Sequence, residues 1–414
     1  MANANQSATW LTGRRLRAHG LLVAVALWSV YVWILATPTL RDRYDNLKGT
    51  DFLHFYTLGC LANEHRGTDL YDMRAQAALE AQRVPDAAGI RYLPLYPPQV
   101  SIAFAPLARL PYGRALALWW ICSGLIYAAC CYSVWRACPA LRSQGVTVAL
   151  LALGFPAFFH SIAWGQTSVV VLGIFTLMFI FLRNKHEFLA GLALGCLIFK
   201  PQVGLAAVVV LGATGAWRIL AGAAISSAAQ LLAGVLYYGT SPFRSWVRML
   251  MNIRTLLPFF EPRPYQTHCL RTFWSMIVPW ENASLVLYLI SATLVLGVTV
   301  AVWKKREIPL SLRYSALLLA SVLVAPHLTI YDLVILAPAF LLLSDWLVGQ
   351  PLTPAIRWMG SVLYLVYMLP LVGPFSRWTH VQLSVIAMAM LLYLVWTRAA
   401  ERRPIGQPRA AVAT

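Results

Sequence analysis

Apolar runs of roughly 20 residues, the length that crosses the ~30 Å hydrocarbon core of a bilayer, recur from residue 21 to residue 396 with only brief polar breaks. Water cannot be the main solvent of such a chain. In lipid every backbone N–H and C=O needs a partner, and a helix supplies those partners within one segment. Composition agrees: 59% of the 414 residues are hydrophobic and 12% charged, where soluble globules carry about a quarter charged. The fold class expected is an all-α polytopic membrane protein.

The pattern predicts twelve spans, at 18–38, 113–135, 146–160, 166–183, 187–199, 202–216, 219–238, 283–303, 309–325, 331–348, 355–372 and 380–398. Two long polar loops interrupt them, at 39–112 and 239–282. Residues 100–110 are apolar but short and are bracketed by Pro97, Pro98, Pro106 and Pro111, so they read as a juxtamembrane or half-inserted helix. With that parity, Arg14, Arg15, Arg17, Arg136, Arg142, Arg183, Lys185, Arg218, Lys304, Lys305, Arg306, Arg313, Arg357 and the basic stretch 398–409 fall on one side. The positive-inside rule makes that side cytoplasmic, with both termini there and the two long loops outside. The expected organisation is a cytoplasmic N-terminus (1–17), a single transmembrane domain (18–398) and a basic cytoplasmic tail (399–414). The first run, preceded by three arginines, reads as a retained signal-anchor helix: it is long for a signal peptide's apolar core, and no convincing cleavage site follows it.

The formal net charge of +18 does not indicate nucleic acid, because the basic residues lie mostly between apolar runs rather than on a separate basic domain. Orientation in the membrane, with its anionic lipids as the contact, accounts for the charge. The seven cysteines show no metal-ligand spacing, and neither metal nor cofactor is expected. Cys60 and Cys269 are the two that this topology leaves outside and able to pair.

The same topology places the unusual polar residues near span ends on the outer face: Asp51, Tyr96, Gln99, His160, Gln166, Lys200, Gln202, His327 and Asp332. Ionisable groups at membrane depth cost roughly 2.5–3.5 kcal/mol on insertion scales, so a shared cavity is the natural expectation. Asp51, in Gly49-Thr50-Asp51-Phe52, is a carboxylate that can take a proton from a hydroxyl; equally, it can cap a helix over 52–61. Lys200, in Phe199-Lys200-Pro201-Gln202, either meets a lipid phosphate or snorkels to headgroups. His327 and Asp332, in Pro326-His327-Leu328-Thr329-Ile330-Tyr331-Asp332, can bond each other or an anion, or brace a turn. Trp164-Gly165-Gln166 offers a stacking face and an amide for sugar hydroxyls, or an ordinary interfacial aromatic. The second loop mixes Arg244, Arg248, Arg254, Arg263 and Arg271 with Trp246, Phe259, Phe260, Tyr265 and Trp274, suited to a phosphate, a glycan or anionic headgroups.

Taken in order, Gly49-Thr50-Asp51-Phe52, Leu70-Tyr71-Asp72, Leu95-Tyr96-Pro97-Pro98, Ala105-Pro106-Leu107, Leu110-Pro111, Gly165-Gln166, Lys200-Pro201-Gln202, Pro326-His327 and Tyr331-Asp332 resemble glycosyltransferase family 87 over roughly residues 50–338. That family comprises the polyprenyl-phosphate-mannose-dependent mannosyltransferases and their relatives. The resemblance implies a GT-C fold with a large first outer loop. It implies a polyprenyl-phosphate-linked sugar as donor and a lipid or glycan acceptor, joined outside a bacterial cytoplasmic membrane. Mannose is the sugar implied, with arabinofuranose or another lipid-linked pentose or hexose as alternatives. Carried over by position, Asp51 is the general base, and Lys200 and His327 face the donor phosphate. Tyr96, His160, Gln166, Gln202 and Asp332 are candidate substrate-binding positions. The chemistry expected is inverting transfer without a metal. The rival reading is a transporter or lipid flippase with an ion or substrate path near Lys200, His327 and Asp332.

Overall fold

The computed structural model describes residues 11–253, 255–256, 261 and 263–401. The first ten residues, the tail beyond 401, and Arg254, Phe259 and Phe260 of the second loop lie outside these. Among the described residues the chain is helical, with no strand and two isolated antiparallel bridges, Arg41 with Leu47 and Thr267 with Thr329.

Helix α1 (Gly13–Leu35) opens on Thr12, whose hydroxyl accepts from the Arg15 N–H and satisfies one of the donors that every helix start leaves orphaned. The first long loop folds into α2 (Thr50–Asn63), α3 (Met73–Arg83) and α4 (Gln99–Phe104). Asp72 caps α3, accepting from the N–H groups of Arg74 and Ala75 at 2.8 and 3.2 Å. Helix α4 has six residues and cannot cross a bilayer. Helix α5 (Tyr112–Arg136) follows it directly.

Next come α6 (Gly145–Leu153) and α7 (Pro156–Trp164), bent by 46° where Pro156 denies the chain a helical N–H. Then follow α8 (Ser168–Arg183), α9 (Glu187–Gly195), α10 (Pro201–Ala213) and α11 (Trp217–Tyr238). The second outer loop contributes α12 (Ser241–Met251) and α13 (Leu270–Ile277). The remainder is α14 (Glu281–Lys304), α15 (Leu310–Val324), a 3-10 segment Ile330–Leu336 running into α16 (Ala337–Val348), α17 (Pro354–Met368) and α18 (Leu383–Glu401).

A helix stands at every position where a span was expected, but the count of twelve is not reached by length. Six helices among the described residues are long and apolar enough to cross a membrane, seven if the bent pair is one span. The other apolar helices, at 168–183, 187–199, 201–213, 310–324 and 383–399, are shorter. At about 1.5 Å per residue, α8 reaches only about 24 Å. Hydropathy reports how long a run is apolar and not what it faces. Helix α15 makes the point, since its side chains from Tyr314 to Val324 are all buried, as expected of a helix apolar on every side. By contrast Leu22, Val32, Leu125, Leu236 and Leu294 are left exposed on α1, α5, α11 and α14, the surfaces a multi-pass protein turns to lipid.

Two cores result. The larger fills the bundle around α8 and α15. The smaller wraps α2, where Phe52, Leu53, Phe55 and Leu61 pack against Phe104, Tyr112, Leu116 and Trp119. Each such side chain contributes about 1.5–3 kcal/mol on full burial, so the first loop is a packed cap and not a tether. Cys60 and Cys269 are free thiols: Cys60 is buried in α2, whereas Cys269 contacts Thr272 and the Pro326 carbonyl.

Close packing also sets where α9 delivers the chain. A Cβ on Gly191 or Gly195 would overlap the backbone carbonyls of Ile219 and Ala223 in α11, and one on Gly222 would overlap that of Phe188. Small residues let the two backbones touch, the usual currency of helix association in lipid. Gly191→Leu is therefore expected to cost about 1–3 kcal/mol through forced separation of α9 and α11. Thermal unfolding in detergent checks this, and an unchanged midpoint would contradict the contact.

Candidate active site

Four segments that are distant in sequence begin at one place. They are the N-terminal ends of α2, α8 and α10 and the start of the Ile330–Leu336 segment. Helix starts carry partial positive charge from unpaired N–H groups, so their convergence favours buried anions there.

Asp51 sits in the first turn of α2. It does not cap the helix: the cap position is Gly49, at φ 63°, a left-handed conformation that glycine adopts without strain. A side chain at Gly49 would also strike Leu116. The turn is anchored by Tyr112, whose hydroxyl donates to the carbonyls of Lys48 and Gly49 at 2.8 and 2.9 Å, and by Tyr92, which donates to that of Thr50.

Gln166 reaches Asp51 from the next bend. Helix α7 ends at Gly165, φ 71°, packed so tightly on Phe52 that no side chain fits, and its carbonyl accepts from the Trp119 indole at 3.0 Å. The Gln166 amide oxygen accepts from the Thr167 N–H at 3.2 Å, which aims the amide NH2 at Asp51 Oδ2, 2.6 Å away.

Lys200 and Asp332 form a buried ion pair at 2.8 Å, with side chains 6% and 7% exposed. The Ser168 hydroxyl donates to the same Asp332 oxygen at 2.5 Å, and Thr329 donates to the other from its N–H and hydroxyl, both at 3.3 Å. Lys200 also lies 5.7 Å from the centre of the Tyr331 ring. Its ammonium is buried and paired with a carboxylate. Both oxygens of Asp332 are engaged and its charge is neutralised.

Asp51 differs. No ion pair reaches it among the described residues, it is partly accessible, and Tyr331 lies close enough to influence it. Burial pushes its carboxyl up, and the neighbouring Asp332 adds to this. The Gln166 bond and the Lys200 charge only partly offset them, leaving it at about 6. Tyr96 feels the charges of Lys200, Asp332 and Asp51, so it stands at the same cluster. On its other side a narrow crevice is lined by His54, Tyr71, Pro97, Pro98 and Ser101. Both nitrogens of His54 lack partners among the described residues, and burial lowers this imidazole to about 4.

His327 lies close enough to Asp332 to bias its charge, and its Nδ1 meets Glu261 Oε1 at 2.5 Å. Glu261 also pairs with Arg271, whose Nε donates to the Pro326 carbonyl. The structure thus brings Asp51, Tyr96, Gln166, Lys200, His327 and Asp332 together. His160, on α7, is set beside Phe159 and near His268 instead. Gln202 is in the first turn of α10 beside Lys200 but makes no hydrogen bond to the cluster among the described residues.

Ser168, Thr329 and Glu261 also belong here and were not singled out from the sequence, while Tyr331 stood there only as part of a motif and Arg271 only as one of five loop arginines. Glu261 carried a signal, being the one acid between Gly239 and Trp280 amid five arginines. The arrangement sets a carboxyl raised to about 6 beside the Lys200–Asp332 pair and within a cluster that includes Arg271 and His327, a setting compatible with proton transfer next to a leaving anion.

The sequence profile of glycosyltransferase family 87 matches residues 95–326, more than half of the chain and the stretch that carries Tyr96, Gln166 and Lys200. No curated protein and no solved structure matches the chain.

Breaking a buried ion pair strands a charge, at about 3–5 kcal/mol, whereas replacing both partners with apolar groups is often neutral. Lys200→Met and Asp332→Leu are each expected to lower the unfolding midpoint strongly and the double variant to recover most of the loss. Additive losses in a double-mutant cycle would show that the pair is not coupled.

Proposed function

The chain belongs to glycosyltransferase family 87, and from that premise we propose that it transfers a sugar from a polyprenyl-phosphate-linked donor to a hydroxyl of a lipid or glycan acceptor. Mannose is the sugar assigned, and the outer face of the cytoplasmic membrane is the place. The observation that carries this reading is the contrast between two neighbouring carboxylates: Asp332 is neutralised by Lys200, while Asp51 has no ion-pair partner among the described residues and stands at about 6. A base must be ionised yet ready to accept a proton, and of these two carboxylates Asp51 is the one that meets both conditions near neutral pH.

In the step proposed, the acceptor O–H gives its proton to Asp51 as the oxygen forms a bond to the anomeric carbon. The bond from that carbon to the phosphate oxygen breaks on the opposite side, and the lipid phosphate leaves with the electron pair. Configuration at the anomeric carbon inverts. Gln166 holds the carboxylate in place, so the acceptor meets an oriented base. His327 faces the leaving phosphate, and Lys200, fixed by Asp332, adds positive potential behind it. Tyr96 stands on the acceptor side, between Asp51 and the crevice at His54. His160 and Gln202 are assigned to the outer parts of the substrates.

Asp51→Asn keeps the Gln166 contact but removes the base. Transfer is expected to fall about 10²–10⁴-fold with the unfolding midpoint kept, measured with a radiolabelled lipid-phosphate sugar; retained transfer in a folded variant would sink the base assignment. The pH profile gives an independent check. Because protonated Asp51 is inactive and its carboxyl stands at about 6, the rate should rise about tenfold per unit as pH rises toward 6 and level off above it. A profile flat from pH 4 to pH 8 would contradict the assignment.

A further inference from the structure

We infer that Arg271 and His327 form an anion site for the phosphate of the lipid-linked donor, and that Glu261 occupies this site as an internal competitor. The inference rests on the transferase reading above and specifies its phosphate subsite.

Arg271 and His327 are brought together by contacts that do not involve Glu261. The Thr267–Thr329 bridge joins the second outer loop to the turn before Ile330, and the His268 N–H donates to the Leu328 carbonyl at 2.8 Å. Arg271, in the first turn of α13, is tied through Nε to the Pro326 carbonyl next to His327. The pair is therefore preorganised by backbone.

Glu261 enters from elsewhere in the loop and presents a single oxygen, Oε1, to both Arg271 and His327 Nδ1. A phosphate oxygen makes the same demand: one anionic acceptor, one guanidinium and one imidazole. Burial raises the Glu261 carboxyl, but His327 and Arg271 outweigh that and hold it below the ordinary value, so at neutral pH it is an anion.

Lys200 is the other cation at the cluster, and its ammonium is already committed to Asp332 within a nearly closed interior. Arg271 and His327 are more open, with side chains 20% and 16% exposed. Exchange of the Glu261 carboxylate for a phosphate keeps the charge balance of the site, which makes the competition reversible. The apparent affinity for the phosphate then falls by the fraction of time Glu261 spends in place.

Binding of farnesyl phosphate to the full chain in phosphatidylcholine nanodiscs tests this without any sugar transfer. Glu261→Gln is expected to bind about tenfold tighter than the native protein, and Arg271→Gln about tenfold weaker or worse. Arg271→Lys, which keeps charge but loses the planar fork, should fall between and serves if Arg271→Gln does not fold. Inorganic phosphate should rank the variants in the same order at lower affinity.

Weaker or unchanged binding by Glu261→Gln, or native binding by both Arg271 variants, overturns the proposal. Equal competition by phosphatidylglycerol in the nanodisc also overturns it, because the site would then be a general headgroup contact. Failure of the function proposal reads differently: the native protein would bind farnesyl phosphate in this order and yet transfer no sugar.

Discussion

Lys200 and Asp332 meet at 2.8 Å where almost no solvent reaches them, and four chain segments are positioned by that contact. Lys200 is the hinge between α9 and α10, Asp332 begins the segment that runs into α16, and Ser168 at the start of α8 bonds the same carboxylate. Through Gly165 and Gln166, the entry to α8 also fixes Asp51. Charges in so dry a setting are tolerable only as a pair with every remaining hydrogen bond supplied, as Ser168 and Thr329 supply them here. Loss of one partner would leave the other unpaired in the floor of the site.

That pair also explains how two carboxylates so close together take different roles. Asp332 absorbs the cation and two hydroxyl donors, so its charge is spent on architecture. Asp51 lies within the reach of Lys200 but is not bonded to it, receives only neutral donors, and is pushed upward by burial and by the charge of Asp332. One carboxylate is tied into an ion pair and the other has no ion-pair partner among the described residues, a difference set by their neighbours.

Much of this was legible in the sequence, for identifiable reasons. Apolar periodicity located a helix at each expected span, and the prolines at 97, 98, 106 and 111 correctly marked residues 100–110 as too broken to cross. Asp51, Gln166, Lys200 and Asp332 stood out because polar residues at membrane depth are costly. What they do to one another was not legible: Lys200 reads as a cation awaiting a phosphate until Asp332 is seen on it. Span depth was hidden as well, since α15 and α14 are comparably apolar while one is enclosed by protein and the other exposes much of its surface. Glu261 escaped, and Arg271 stood only as one of five loop arginines, because a loop lacks the periodicity that assigns direction to a side chain; the Thr267–Thr329 bridge reveals where that loop rests.

The central claim is that this family 87 enzyme uses one base and a leaving lipid phosphate in a single displacement. The most direct measurement is the anomeric configuration of the product formed by purified protein from a polyprenyl-phosphate sugar of known configuration, read by NMR of the new glycosidic bond. The account predicts complete inversion, with free polyprenyl phosphate released in equal amount. A product with retained configuration, or transfer that proceeds from a nucleotide sugar and from no lipid-phosphate sugar, would contradict it.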